Sequence, residues 1–310
     1  PPPPPPLFFF HADQAIPDPL WSRGLGDVYK RQLQPNACDS IEGQQFLDGV
    51  IKLYKVDLSG KRAVVFGVAN ERSIAWSACQ VLYRAGAELT IVYQNERLLG
   101  RIDRLVQDLD KVKLVQCDVT SDVEIINAFS QIEEKMGGID CLVHSIAFAQ
   151  REDLGGDFSD LSRDGFHIAM EVSAYSLIPL VKHAAKLIDS KGGSIVAMTF
   201  QASQRVFPGY NVMGTAKAAL ENEVIQLAHD LGPDGIRVNA ISPGPLDTVS
   251  SRVITGYKDM KRAPQTRSPM GRNVTHEEAA GTALFLSSDL STGITGQIIT
   301  VDTGYGIMGI

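Results

Sequence analysis

The sequence lacks most of the features that announce a specialised chemistry. Its four cysteines, Cys38, Cys79, Cys117 and Cys141, show no C-x-x-C spacing and no disulfide framework. They read as free thiols in a reducing cytoplasm. There is no H-E-x-x-H and the six histidines are scattered, which speaks against a metal hydrolase. No metal ligands are assigned, and His144 reads as a packed strand residue. No apolar run approaches the roughly 20 residues needed to span a bilayer. Basic charge is not in excess: 29 Lys and Arg against 36 Asp and Glu leave a net charge of -7. That balance disfavours nucleic acid as the main partner. Asn273-Val-Thr275 matches a glycosylation sequon, but nothing else points to secretion. What remains is the composition of a globular enzyme, 44% hydrophobic and 21% charged.

The first residues do not read as fold. Pro1 to Pro6, Leu7 and Phe8 to Phe10 are what runs of C and then T would encode. Ser22 to Gln32, SRGLGDVYKRQ, back-translates to what looks like a transposon-based sequencing adapter with its mosaic end. Residues 1–32 are therefore expected to be an assembly artefact. A disordered proline-rich leader is the alternative, and neither carries chemistry. Residues 33–55 stay open as leader or further artefact.

From about Val56 onward, strand-like and helix-like segments alternate. Arg62–Val68, Glu88–Tyr93, Lys113–Val119, Cys141–Ile146, Ser194–Phe200, Arg237–Ser242 and Gln297–Asp302 are short runs rich in Val, Ile and Leu. Polar stretches of helical period lie between nearly all of them, beginning with Ser73–Arg84. Near-continuous apolar strands require a sheet buried on both faces. The expectation is an α/β fold: one Rossmann-like, doubly wound domain over residues 56–310, with seven parallel strands and helices on both faces.

Pyrophosphate sits in such folds at the first strand–helix turn, on helix N-terminal N–H groups. Here that turn is Gly67-Val-Ala-Asn-Glu-Arg-Ser73-Ile-Ala75. Gly67 permits the tight turn, Ala69 keeps the loop thin, and Ser73 can cap the helix and offer a hydroxyl to phosphate. G-x-G-x-x-G is absent, so on glycine count alone an ordinary turn serves equally well. The second strand ends at neutral Gln94, with Arg97 the first basic residue. No acid is offered to a ribose 2′-OH and no adjacent cation to a 2′-phosphate, a pattern that favours NADH and leaves NADPH open. Asp118-Val119 and Ser145-Ile146-Ala147-Phe148-Ala149 end the third and fourth strands.

Tyr210 and Lys217 follow the fifth strand, seven apart on an expected helix. Two helical turns take about 7.2 residues, so both side chains would share one face. The Tyr-x3-Lys of ordinary short-chain dehydrogenases is absent, because Gly214 stands four residues after Tyr210. Seventeen residues before Lys217, where carbonyl-reducing relatives carry a catalytic serine, stands Phe200. Phenylalanine cannot donate to a carbonyl oxygen.

The runs G-V-A-x-x-x-S-I-A at Gly67 and Y-N-V-M-G-T-A-K at Tyr210 resemble the enoyl-acyl-carrier-protein reductases of bacterial fatty-acid synthesis, within the short-chain dehydrogenase/reductase superfamily. The similarity runs through residues 56–310. It implies reduction of a trans-2-enoyl thioester by NADH, with hydride passing to the β-carbon. Tyr210 would donate to the thioester oxygen as enolate charge develops, and cationic Lys217 would hold the cofactor ribose. It also implies cofactor contacts from Gly67, Ser73, Ile74, Gln94, Asp118, Val119, Ile146, Lys217, Leu246 and Thr248, and substrate contacts from Ala149, Phe200 and Tyr210. Three departures stand out. Ser77 replaces a glycine under the cofactor, Phe200 a frequent second tyrosine, and Asp247 the arginine of A-G-P-[IL]-R-T. Residues 249–268 read as a substrate lid. Lys258, Lys261 and Arg262 there resemble a basic segment that receives acyl carrier protein. The closing Gly304-Tyr-Gly-Ile-Met-Gly309 is similar to a segment of a tetramer interface, so a homotetramer is expected. A catalytically inactive NAD-binding regulator and a 3-oxoacyl or other carbonyl reductase are the alternatives.

Overall fold

Two hydrophobic layers, one on each face of a sheet, account for the apolar strands. The computed structural model describes residues 56–309 apart from Val249, Ser250, Arg252, Val253 and Thr255. The artefact expected at 1–32 and the leader at 33–55 lie outside the described residues.

The strands are β1 (Arg62–Phe66), β2 (Glu88–Tyr93), β3 (Lys113–Gln116), β4 (Cys141–His144), β5 (Gly193–Met198), β6 (Ile236–Pro243) and β7 (Ile298–Val301). All neighbours pair in parallel, in the order β3-β2-β1-β4-β5-β6-β7. Helices α1 (Ile74–Arg84), α2 (Glu96–Val106) and α3 (Asp122–Met136) follow β1, β2 and β3. After β4 come α4 (Arg163–Met170), a π-helical turn at Glu171–Tyr175, and α5 (Leu177–Ala184). Then come α6 (Val212–Leu231) after β5, and α7 (Tyr257–Arg267) and α8 (His276–Ser287) after β6. The seven expected strands and the doubly wound α/β class are all present.

Alternate residues of one strand enter different layers. Val64 and Phe66 join Leu142, Ile195 and Val238 under Ile132, Leu177, Leu180 and Leu220 of α3, α5 and α6. Ala63 and Val65 join Ile91, Val143 and Val196 under Leu82, Ile102 and Leu286 of α1, α2 and α8. Burying a Leu or Ile contributes about 1.5–3 kcal/mol. This two-sided burial is what makes the strands apolar at consecutive positions.

The strands β1, β3, β4 and β5 end before their apolar runs do, whereas β6 runs one residue longer at each end than its expected run. Gly67, Cys117, Ser145 and Thr199 have already left the ladder. Strand order reverses between β1 and β4, and the crevice beyond the carboxyl ends there is where doubly wound folds bind ligands. Gly67 lies in that crevice. Its φ is +98°, and a Cβ would lie 2.0 Å from the Ser145 carbonyl oxygen. Gly60 also has positive φ, +80°, but faces open space. Gly60→Ala should therefore cost about 1–2 kcal/mol of left-handed strain. Gly67→Ala should cost about 3 kcal/mol or more, because a clash with backbone is added. Urea unfolding of both variants checks this, and equal losses would contradict it.

Candidate active site

The β1–α1 loop is organised by Ser73, though not in the expected way. Its Oγ accepts from the N–H groups of Ala69 and Asn70, both at 3.0 Å, and makes no cap bond to α1. The hydroxyl lone pairs are spent upstream, so the side-chain cap is corrected to a loop clasp. The Asn70 side chain accepts from Arg72 N–H at 2.9 Å. The N–H groups of Ile74 and Ala75 have no intrahelical partner, as the first turn of any helix leaves them. Ser77 is buried within α1, and the helix runs unbroken to Arg84.

The loop after β6 is brought to the same place. Buried Leu246, Val274 and Ala279 pack with Ile74. Thr248 thus stands two residues beyond an anchor on α1. Its Oγ1 accepts from Ser251 N–H at 3.1 Å, leaving its own proton to donate. At the far side, Gln94 Nε2 donates to Asp118 Oδ2 at 3.1 Å, which joins the ends of β2 and β3. Burial raises the Asp118 carboxyl, but donors from Thr120 and Gln94 outweigh it and hold the group below its ordinary value. Val119 is half-buried against the layer under α3.

Lys217 is buried, 4% exposed, inside α6. Its Nζ donates to the Met198 carbonyl at 2.8 Å and reaches the Ile146 carbonyl at 3.4 Å. One ammonium therefore ties the end of β5 to the segment after β4. Desolvation pulls its pKa down to about 8, against the opposing pull of Glu221 and Glu223. Glu221 is itself fixed by Thr199 and Ser203, each donating at 2.7 Å.

Tyr210 does not share a helix face with Lys217, because α6 begins only at Val212. Asn211 has φ +34° and ψ -117°, a left-handed conformation that favours glycine. The turn closes through Met213 N–H to the Tyr210 carbonyl at 3.0 Å. Asn211 Nδ2 donates to the Gly155 carbonyl at 2.6 Å, which holds the strained residue in place. The Tyr210 ring lies 5.0 Å from Phe200, which lies 4.7 Å from Phe207. Among the described residues no protein group hydrogen-bonds the Tyr210 hydroxyl. Loss of hydration pushes the phenol above its ordinary value, so it stays protonated.

Three features escaped sequence reading. Ser173, fully buried in the π-helical turn, accepts from Phe148 N–H and donates to its carbonyl, both at 2.9 Å. It also touches Met213 Sδ at 3.7 Å. The segment carrying Ile146 and half-buried Ala149 is thereby held to the Tyr210 turn. Nothing local marks Ser173, since the widened turn exists only in the folded helix. Arg101 of α2 sets a guanidinium nitrogen 3.5 Å from the Ala69 carbonyl. Lys261 pairs with Asp247 at 3.3 Å, so this member of the expected basic docking set is engaged within the chain while its side chain stays partly exposed. Lys258 and Arg262 remain exposed.

A family profile described as enoyl-(acyl carrier protein) reductase matches residues 67–306. The chain is 46% identical over 254 residues to the NADH-dependent enoyl-[acyl-carrier-protein] reductase FabI of Bacillus cereus, covering 81% of this chain and 99% of the relative. It is equally similar, 46% over 252 residues, to the enzyme of Staphylococcus aureus strain MRSA252 named for NADPH, covering 81% and 98%. Among solved structures, the Bacillus cereus reductase with NADP+ and an indole naphthyridinone matches with TM-score 0.80 at 45% identity, covering 82% of this chain and 99% of that one. The Anaplasma phagocytophilum reductase in complex with NAD matches with TM-score 0.78 at 38% identity, covering 82% and 96%.

The Ser173 clamp carries a stability prediction. Ser173→Ala leaves the Phe148 N–H and carbonyl without their buried partner, a loss of about 1–3 kcal/mol. The urea midpoint should fall at unchanged slope. An unchanged midpoint would show that the segment is held from elsewhere.

Proposed function

The chain belongs to the enoyl-(acyl carrier protein) reductase family, and on that premise we propose that it reduces the trans-2 double bond of an enoyl thioester carried by acyl carrier protein, with NADH as reductant. The observation that carries this reading is the packing of Tyr210, whose hydroxyl has no hydrogen-bond partner among the described residues, against Phe200 where carbonyl reductases carry serine. Such a site offers one hydroxyl donor to one oxygen, and the position that serves carbonyl reduction is apolar.

The residues present fit a dinucleotide. Gly67 keeps the β1 and β4 ends close with no side chain between them. The N–H groups of Ile74 and Ala75, without intrahelical partners, and the Thr248 hydroxyl would supply donors for a pyrophosphate. Gln94 and Asp118 would frame the adenosine, with Val119 beside them. Ile146 and Lys217 would meet the nicotinamide ribose, and Ala149, Phe200 and Tyr210 the acyl group. Bound NADH supplies the hydride for the β-carbon. Tyr210 would stabilise the enolate oxygen, where a preorganised donor lowers the barrier most, and a proton taken from solvent at the α-carbon would complete the saturated thioester. Lys217 holds the ribose hydroxyls and places positive charge behind Tyr210.

NADH is favoured because the Gln94 amide is engaged with Asp118 and brings no cation to a 2′-phosphate. Arg101, close to the glycine loop, supports NADPH as a second reading. The reductase domain is assigned to residues 56–310. Exposed Tyr175, Ile178 and Ile225 lie on the π-helical turn, α5 and α6, and exposed Ile307 lies in the C-terminal segment. These unpartnered apolar side chains support a homotetramer. No helix among the described residues is long and apolar enough to cross a membrane, and we assign the enzyme to the cytoplasm.

Absorbance at 340 nm tests the reading with a trans-2-enoyl and a 3-oxoacyl thioester. NADH should be consumed only with the former, at a kcat/KM above that with NADPH. Consumption with the 3-oxoacyl thioester alone would refute it. Tyr210→Phe should lower kcat by about 10²–10³, whereas Lys217→Ala should chiefly raise KM for NADH. An unchanged kcat in Tyr210→Phe would assign the donor role elsewhere.

A further inference from the structure

Phe200 is held from two sides. Thr199 and Ser203, which flank it, donate to Glu221 of α6, and Gln201, the residue after it, bonds elsewhere. The buried Gln201 side chain donates through Nε2 to the buried carboxylate of Asp302, just beyond the end of β7. An ionised carboxylate only accepts, so the amide presents its NH2 group, and among the described residues Gln201 Oε1 finds no donor. A buried carbonyl left unpaired is costly, so the bond at the other end of the amide is what fixes this side chain.

Asp302 is a rigid anchor. Its Oδ1 accepts from Gly304 N–H at 2.9 Å and its Oδ2 from Gly306 N–H, so the C-terminal turn Tyr305–Ile307 folds over it. A Cβ at Gly306 would lie 2.7 Å from Asp302 Oδ2 and 2.8 Å from Gln201 Nε2, which leaves no room between the turn and the pair. Thr303 has φ +60°, an outlier for a β-branched residue. Its Oγ1 donates to the Arg272 carbonyl at 2.7 Å, which ties the end of β7 to the turn after α7. The cationic side chains of these turns are engaged away from Asp302: Arg272 with Glu278, and Arg205 at 3.5 Å from the Met308 carbonyl.

We propose that Gln201 is a positioning residue of the acyl site, fastening the Phe200 turn to Asp302 and so setting the aromatic wall beside Tyr210. The inference rests on the reading of this crevice as the site of an enoyl thioester. The Phe200 and Tyr210 rings are 5.0 Å apart, so a shift of the turn changes the space in which the thioester meets the phenol hydroxyl. Gln201 hydrogen-bonds none of the residues assigned to the cofactor.

Steady-state kinetics on the whole chain, with NADH binding followed separately by fluorescence of the reduced nicotinamide, test this. Gln201→Met keeps the length of the side chain and removes the donor. It should raise KM for a trans-2-enoyl thioester roughly 3–10-fold, the scale of one buried hydrogen bond, because the Glu221 contacts remain. NADH affinity should stay within about twofold of wild type, as for an independent site, with the thermal midpoint of unfolding held. Gln201→Glu places a second carboxyl beside Asp302. Ionised at about pH 8, it should raise KM at least as far; protonated at about pH 5.5, it donates again, and KM should return close to the wild-type value at that pH. A merely structural defect would not reverse with acid. Wild-type KM in Gln201→Met, a loss in Gln201→Glu that acid does not relieve, or a loss confined to NADH affinity would overturn the proposal. A wild-type chain that reduced no enoyl thioester would overturn the reading of the site and this inference with it.

Discussion

A single ammonium group with little water around it sets the geometry of the crevice. Lys217 reaches from α6 to the carbonyls of Met198 and Ile146, and so fixes the ends of β5 and β4 relative to the helix. Desolvating a cation is costly unless it is hydrogen-bonded and faced by opposite charge. Both conditions are met: two carbonyls accept from it, and Glu221 and Glu223 lie near enough to favour the charged form. Glu221 is held in turn by Thr199 and Ser203, from the segment that carries Phe200. The cation, its counter-charge and the aromatic wall of the pocket are therefore one connected arrangement.

That arrangement explains why strain is tolerated next to it. Asn211 occupies a conformation natural to glycine, between Tyr210 and the first residue of α6. It persists because its amide is bonded to Gly155 and the turn is closed by Met213. The result is a tyrosine placed against Phe200 ahead of the helix, while the lysine projects from within it. The same economy appears at Ser173, where one hydroxyl in a π-helical turn holds the Phe148 backbone and meets Met213. A local irregularity orients the tyrosine, whereas a regular helix orients the lysine.

This division decides what could be read from the sequence. Sheet, strand number and both covered faces follow from the sequence pattern, because consecutive residues such as Val64 and Val65, which face opposite layers, are both apolar and both buried. The strand ends at Gly67, Cys117–Val119, Ser145–Ile146 and Thr199–Phe200 fall short of the sequence expectation, because apolar residues such as Val119, Ile146 and Phe200 continue past the last ladder residue into the crevice. Tyr210 and Lys217 were legible as a pair, but not the turn between them, whose shape depends on the distant Gly155 carbonyl. Ser73 was legible as a loop residue, yet its hydroxyl bonds upstream to Ala69 and Asn70 rather than into α1. The Asp247–Lys261 pair was visible only as two separate oddities, an acid in a basic place and a base in a cluster. Contacts that join elements far apart in the chain leave no local pattern.

Cofactor binding in this crevice depends on the charge of Lys217. Its pKa of about 8 in the free protein makes it cationic at neutral pH and neutral as pH rises past that value. Because kcat/KM reports groups of the free enzyme, the pH profile of kcat/KM for NADH measures it directly. A desolvated ammonium that holds the cofactor gives a plateau at neutral pH and a tenfold fall per unit above about pH 8. A profile flat to pH 10 would contradict it, showing either that the ammonium is not desolvated or that its charge does not hold the cofactor.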